Sequence, residues 1–126
     1  MIRLDTVVLP DGLVWTDEFA AQSVAQTVRR TLDGSVVVFY GQHSGGLPIT
    51  LESEPDAGWL TRAQVEALSL LANSPGGTFT LELRGQVFRI LFRHHEPPAF
   101  EAKPLFNLAN PQPGDFYLAT LKLMTV

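Results

Sequence analysis

Apolar residues along this chain mostly recur at every second position, in short runs cut by turn residues. Pro10-Asp11-Gly12, Asp33-Gly34, Ser44-Gly45-Gly46, Pro55-Asp56-Ala57-Gly58, Pro75-Gly76-Gly77, Arg84-Gly85, Pro97-Pro98 and Pro111-Gln112-Pro113-Gly114 supply the breaks. Short runs rich in Val, Phe, Thr and Leu between such breaks predict β-strands of a sandwich or barrel. In "TFTLEL", Phe79, Leu81 and Leu83 alternate with Thr78, Thr80 and Glu82. In "VFRILF", Phe88, Ile90 and Phe92 share one phase, and Arg84-Gly85 between the two runs predicts a tight hairpin turn. "LPITLE" reads as a further strand, and "LVWTDEF" as a short one. In the closing "FYLATLKLMTV", Tyr117, Ala119, Leu121 and Leu123 share one side.

One segment follows a different period. "WLTRAQVEALSLLAN" sets Val65, Leu68 and Ala72 on one stripe with Leu71 beside it, the spacing of an amphipathic helix. Thr61 and Gln64 form a capping-box pair, Leu60 and Val65 a hydrophobic staple, and Asn73, Pro75 and Gly76 a stop. The expected fold is mainly β (α+β): an antiparallel β-sandwich or partly open barrel with one α-helix, about 61–73, packed on it. With no repeat and no long linker, residues 1–126 form one domain.

"QSVAQTVRRTLDGSVVVFYGQ" departs from the alternating pattern. Asp33-Gly34 predicts a type I′ hairpin turn. The first arm is largely polar, but Val36, Val37, Val38, Phe39 and Tyr40 give the second arm no polar face. Such a strand needs cover on both sides. Val36, Val38 and Tyr40 point one way, Val37 and Phe39 the other. The expectation is that at least one of these faces is buried only on association. Val24, Thr27, Arg29, Val36, Val37, Val38, Phe39 and Tyr40 are the candidate subunit-interface residues.

Composition sharpens this expectation. Charged residues make up only 17% and hydrophobic residues 45%, so part of the surface has the makeup of an interface. A net charge of −4 argues against general affinity for nucleic-acid backbones or anionic membranes. Cysteine is absent, which excludes disulfides and thiolate chemistry. No signal-peptide pattern and no membrane-length apolar run occur, so a soluble protein assembled in the cytoplasm is expected.

Catalytic signatures are weak. His94-His95-Glu96 could suggest a metal, but adjacent histidines in an extended chain face opposite ways, so an exposed turn before Pro97-Pro98 is the better reading. Ser44 beside His43 is no triad and lies in no nucleophile elbow. A small hydrolase would have to draw on His43, Ser44, His94 and His95. Asp17-Glu18, Glu52, Glu54 and Asp56 read as solvated loop charge. "SGG" and "PGG" lack the spacing and lysine of a phosphate loop. No catalytic, cofactor-binding or metal residue is assigned, and no cofactor is expected. Trp15 and Trp59 are expected in the core, Trp59 under the helix. Phe100 and Phe106 either tie a loop to the core or make contacts.

The stretches "LPDGLVWTDEF", "VAQTVRRTLDGSVVV", "GLPITLES", "GWLTRAQVEALSLLANSPGGTFTLEL", "FRILFRHHEPPAFEAKPL" and "DFYLATLKLMTV" together resemble a family of minor tail and tail-tip proteins of tailed bacteriophages. The resemblance spans nearly the whole chain. It implies a tail-tube-like fold and a structural role like that of the distal tail protein, in a ring at the baseplate around the DNA channel. Implied partners are copies of itself in a hexameric or trimeric ring, adjacent tail-tube, tape measure and baseplate hub proteins, and DNA as passing cargo. The implied location is the virion tail. The alternative is a β-sandwich binding module for a host-surface carbohydrate or protein, with Trp15, Phe100 and Phe106 as surface neighbours.

Overall fold

The computed structural model describes residues 1–42, 45–106 and 109–126. In chain order the elements are β1 (Ile2–Leu4), β2 (Val7–Leu9), β3 (Val14–Trp15), β4 (Val24–Arg30), β5 (Val36–Gln42), β6 (Pro48–Glu52), β7 (Leu60–Thr61), α1 (Arg62–Ala72), β8 (Phe79–Leu83), β9 (Gln86–Phe92), β10 (Phe100–Pro104) and β11 (Phe116–Thr125). Nine strands join one sheet in the order β2-β1-β8-β9-β11-β6-β3, with β7 and β10 also paired to β11. All pairings are antiparallel. The fold is therefore mainly β with one helix packed on it, as the sequence pattern predicts.

β11 organises the sheet. Along one edge it pairs β6 and then β7; along the other it pairs β9 and then β10. Its alternation decides which side is wet: Tyr117, Ala119, Leu121 and Leu123 are buried, and Leu118, Thr120, Lys122 and Met124 are half-buried. Leu121 has Leu51 as its partner on β6 and Phe100 on β10. Leu123 lies between Ile49 and Phe92. These rows bring residues from distant parts of the chain into one core with Ile2, Leu4, Leu81, Leu83 and Ile90. Each fully buried Leu or Ile of this kind contributes about 1.5–3 kcal/mol relative to exposure. The sheet curls enough for Trp15, on the β3 edge, to meet Phe88 of β9 edge-to-face at 5.9 Å and 77°.

α1 closes the core. Thr61 Oγ1 accepts from the Gln64 backbone N–H at 3.4 Å, and Gln64 Oε1 accepts from the Thr61 N–H at 2.9 Å. Both halves of the capping box are thus formed. Gln64 Nε2 also donates to the Val8 carbonyl at 2.6 Å, tying the helix start to β2. Leu68 and Ala72 are buried, with Val65 and Leu71 packed beside them.

Four expectations change. The tip of the β4–β5 hairpin is not a two-residue type I′ turn. Gly34 alone has positive φ (85°), and its N–H donates to the Thr31 carbonyl at 3.0 Å. The connection is therefore the three residues Leu32-Asp33-Gly34, framed by the Thr31 N–H donating to the Ser35 carbonyl at 2.9 Å. Type I′ geometry needs positive φ at both central residues, which Arg84 (49°) and Gly85 (86°) have and Asp33 does not. Trp59 is not beneath the helix. It is half-buried against Phe116, ring centres 5.7 Å apart, outside the core cluster. The "LVWTDEF" strand shortens to Val14–Trp15, with turns from Thr16. Finally, β1, β2 and β10 add strands that the sequence pattern does not single out.

Candidate subunit interface

β4 and β5 pair only with each other, as a separate two-stranded ribbon. Every position of both strands is exposed except Val38, which is half-buried. Neither face meets the subunit's own core: within one chain the core cluster includes no residue of either strand.

The register distributes the candidate residues over two faces. Val36, Val38, Tyr40 and Gln42 stand opposite Arg30, Val28, Gln26 and Val24. One face therefore carries Val24, Val28, Val36, Val38 and Tyr40, rimmed by Gln26 and Arg30. The other carries Ala25, Thr27 and Arg29 opposite Gly41, Phe39 and Val37. Among the candidates, Val24, Val36, Val38 and Tyr40 share the first face; Thr27, Arg29, Val37 and Phe39 share the second. Val28 also belongs to the first face. Its signal was Val24 and Val28 at even spacing within a polar arm, and only the pairing register shows that they extend the valine patch of β5.

Exposure on this scale is unusual. Phe39 is 58% and Tyr40 77% exposed, with Val24, Val28, Val36 and Val37 open beside them. An isolated two-stranded hairpin is marginal in water. A contiguous apolar patch on it is what protein interfaces present.

The ribbon's root, by contrast, is fastened. Asp17 accepts from the Thr50 N–H and hydroxyl, each at 2.8 Å. Arg93 donates to the Thr50 hydroxyl and lies 3.9 Å from Asp17 and 2.7 Å from Glu96. Arg93 and Asp17 side chains are only 11% and 18% exposed, so this network is shielded from salt and solvent more than a surface pair. Just before β6, the Gly46 N–H donates to the Thr125 carbonyl at 2.7 Å and the Leu47 N–H to Thr125 Oγ1 at 3.0 Å. At the tip, the Asp33 carboxylate accepts from the Thr31 hydroxyl and, at 3.1 Å, from the Ser35 N–H. These bonds lower its pKa from 3.8 to about 2.

The remaining candidates do not converge. His43 and Ser44 lie outside the described residues. His94, His95 and Glu96 form an exposed turn, where Glu96 pairs with Arg93. Among the described residues no group of three His, Cys, Asp or Glu could hold a metal. No described helix is long and apolar enough to cross a membrane. Trp15 and Phe100 pack against the core, while Phe106 is 72% exposed. Phe106 instead shares a depression of about 280 Å³ with Pro104, Pro111, Asp115, Phe116 and Tyr117.

Compared with known proteins, the chain matches no family model, no curated protein and no solved structure.

Proposed function

We propose that this protein is a structural subunit that assembles with copies of itself, as part of a ring at the distal end of a phage or phage-derived tail. One observation carries the reading: a two-stranded ribbon with exposed apolar residues on both faces stands outside the core cluster and pairs with no other strand. Leaving such a surface in water costs free energy that burial against a neighbour would recover. A patch that differs from the surface it docks on makes a heterologous contact, and heterologous contacts that close by rotation make rings. The mild net negative charge suits a wall past which DNA slides without sticking. The tape measure, tail-tube and baseplate hub proteins are the neighbours that such a place would bring. The test is light scattering across a concentration series with negative-stain imaging of the associated fraction. Closed rings support the reading; a monomer at every concentration contradicts it.

A second reading, a binding module for a host-surface carbohydrate or protein, has one observation in its favour. Phe106 and Phe116 stand exposed around the depression at the β10–β11 end. Of the three aromatics expected to form such a site, Trp15 and Phe100 are engaged with the core instead.

A further inference from the structure

We infer that the Phe39 face of the ribbon docks into the Phe106–Phe116 depression of a second copy, with Arg29 directed to Asp115 in its wall. The inference rests on the assembly reading and names the surface on which the ribbon lands.

Charge separates the two surfaces. Of 9 Lys and Arg and 13 Asp and Glu, the ribbon holds Arg29, Arg30 and Asp33, a net +1. The remainder of the chain keeps 7 basic and 12 acidic residues, a net −5. No ion pair engages Arg29 or Arg30 among the described residues. A cationic ribbon on an anionic body favours head-to-tail contact between copies over ribbon-to-ribbon contact, where like charges would meet.

The shapes agree. Phe39 stands on the same face as Val37, opposite the small Thr27, with Arg29 directly across from Val37. It is thus an aromatic anchor beside a cation. The depression is walled by Pro104, Phe106, Pro111, Phe116 and Tyr117, and Asp115 lines it too. Trp59 extends the aromatic wall through its contact with Phe116. Arg62, which donates to the Tyr117 hydroxyl at 2.6 Å, is already paired with Glu66 at 3.1 Å, so Asp115 is the charge in the lining open to Arg29. At about 280 Å³ the depression falls just below the size of typical small-molecule sites, roughly 300–1,000 Å³. It has room for a bulky side chain inserted from a partner, the way aromatic anchors fill interface pockets.

The chain's lack of cysteine makes the contact directly readable. The double variant Phe39→Cys with Phe106→Cys is oxidised at a concentration where the parent associates. A head-to-tail contact yields a ladder of covalent oligomers, whereas each single variant, whose one thiol faces no second thiol, stays uncrosslinked. Phe39→Cys with Leu70→Cys, on the exposed side of α1, is the control and gives no ladder. In parallel, Phe106→Asp is expected to weaken self-association at least tenfold, as Phe39→Asp does, without altering the fold of the monomer. If Phe39→Asp disrupts association while Phe106→Asp does not and no ladder forms, the docking surface is wrong and the assembly reading stands. Saturable binding of a soluble carbohydrate that Phe106→Asp abolishes, in a protein without the ladder, would overturn the inference in favour of the second reading. A parent that is monomeric throughout overturns both the inference and the assembly reading.

Discussion

Val28 and Val38 stand directly opposite each other on the β4–β5 ribbon, one of the two inner pairs of a face that no part of the core covers. The pairing gives the ribbon cross-strand contacts, each about 0.2–1 kcal/mol, yet leaves the outer surface of the valines uncovered within the chain. Its free energy in the monomer is small for that reason, and in the proposed assembly its contribution would be large. Hydrogen exchange on monomeric protein is expected to show the amides of β4 and β5 exchanging far faster than those of β11, with protection of the ribbon rising on association. Equal protection of β5 and β11 in the monomer would contradict this.

Core substitutions behave differently from ribbon ones. Leu121 is fully buried between Leu51 and Phe100. Leu121→Ala is expected to cost about 2–5 kcal/mol, through lost transfer energy and a residual cavity. Denaturant unfolding measures it, and a cost under about 1 kcal/mol would mean that the site collapses freely or is not core.

At the helix start, Thr61→Ala removes one capping bond and is expected to cost about 1 kcal/mol. Gln64→Ala should cost more, because it deletes both the bond to the Thr61 N–H and the 2.6 Å bond to the Val8 carbonyl on β2. Thermal unfolding of the two variants orders them. The reverse order would show that the Val8 contact contributes little.

Much of this fold was legible because its signals are local. The alternations of β8, β9 and β11 and the Thr61–Gln64 box each lie within one short window, and the structure has them in the expected phase. The misses have a common cause in partners far along the chain. β1 and β2 are three residues each, joined by Asp5-Thr6 without a glycine. Asp5 holds φ at 52° while its carboxylate accepts the Thr80 N–H at 2.8 Å, a contact that no window around residue 5 contains. Trp59 was expected under the helix because of its place in sequence, but Phe116, fifty-seven positions on, holds it at the surface. In the candidate interface, the unbroken apolar run of β5 was visible at once. Membership of Val28 was not, because it depends on the register with Val38.

The root of the ribbon offers a test of positioning. Asp17→Ala leaves the Thr50 N–H without its acceptor and removes one of the two carboxylates beside Arg93, Glu96 staying at 2.7 Å, a loss of about 1–3 kcal/mol for a part-buried site. It is expected to loosen the 16–22 segment and weaken assembly without unfolding the sheet. Exchange rates of those amides, measured beside those of β11, report it. Unchanged rates in the segment would remove Asp17 from this role.

The tip has a defined pH response. Asp33 has a folded pKa lowered to about 2 by the Thr31 hydroxyl and Ser35. A lowered pKa means that the ionised form supports the turn. That support is complete above the ordinary value near 3.8 and is lost as pH falls through about 2. Carboxyl NMR should find the Asp33 midpoint well under 3.8, and Asp33→Asn should remove the transition from neighbouring amide shifts. A midpoint at the ordinary value would show that the turn bonds do not persist in solution.

The most direct test of the central claim, that the ribbon is an assembly surface, is sedimentation velocity on the parent and Phe39→Asp over the same concentration range. Phe39 is exposed and outside the core, so the variant should unfold within a few degrees of the parent. The expected result is a parent that shifts from monomer to a discrete oligomer while Phe39→Asp remains monomeric. A parent that stays monomeric, or a variant that assembles as the parent does, would contradict the account.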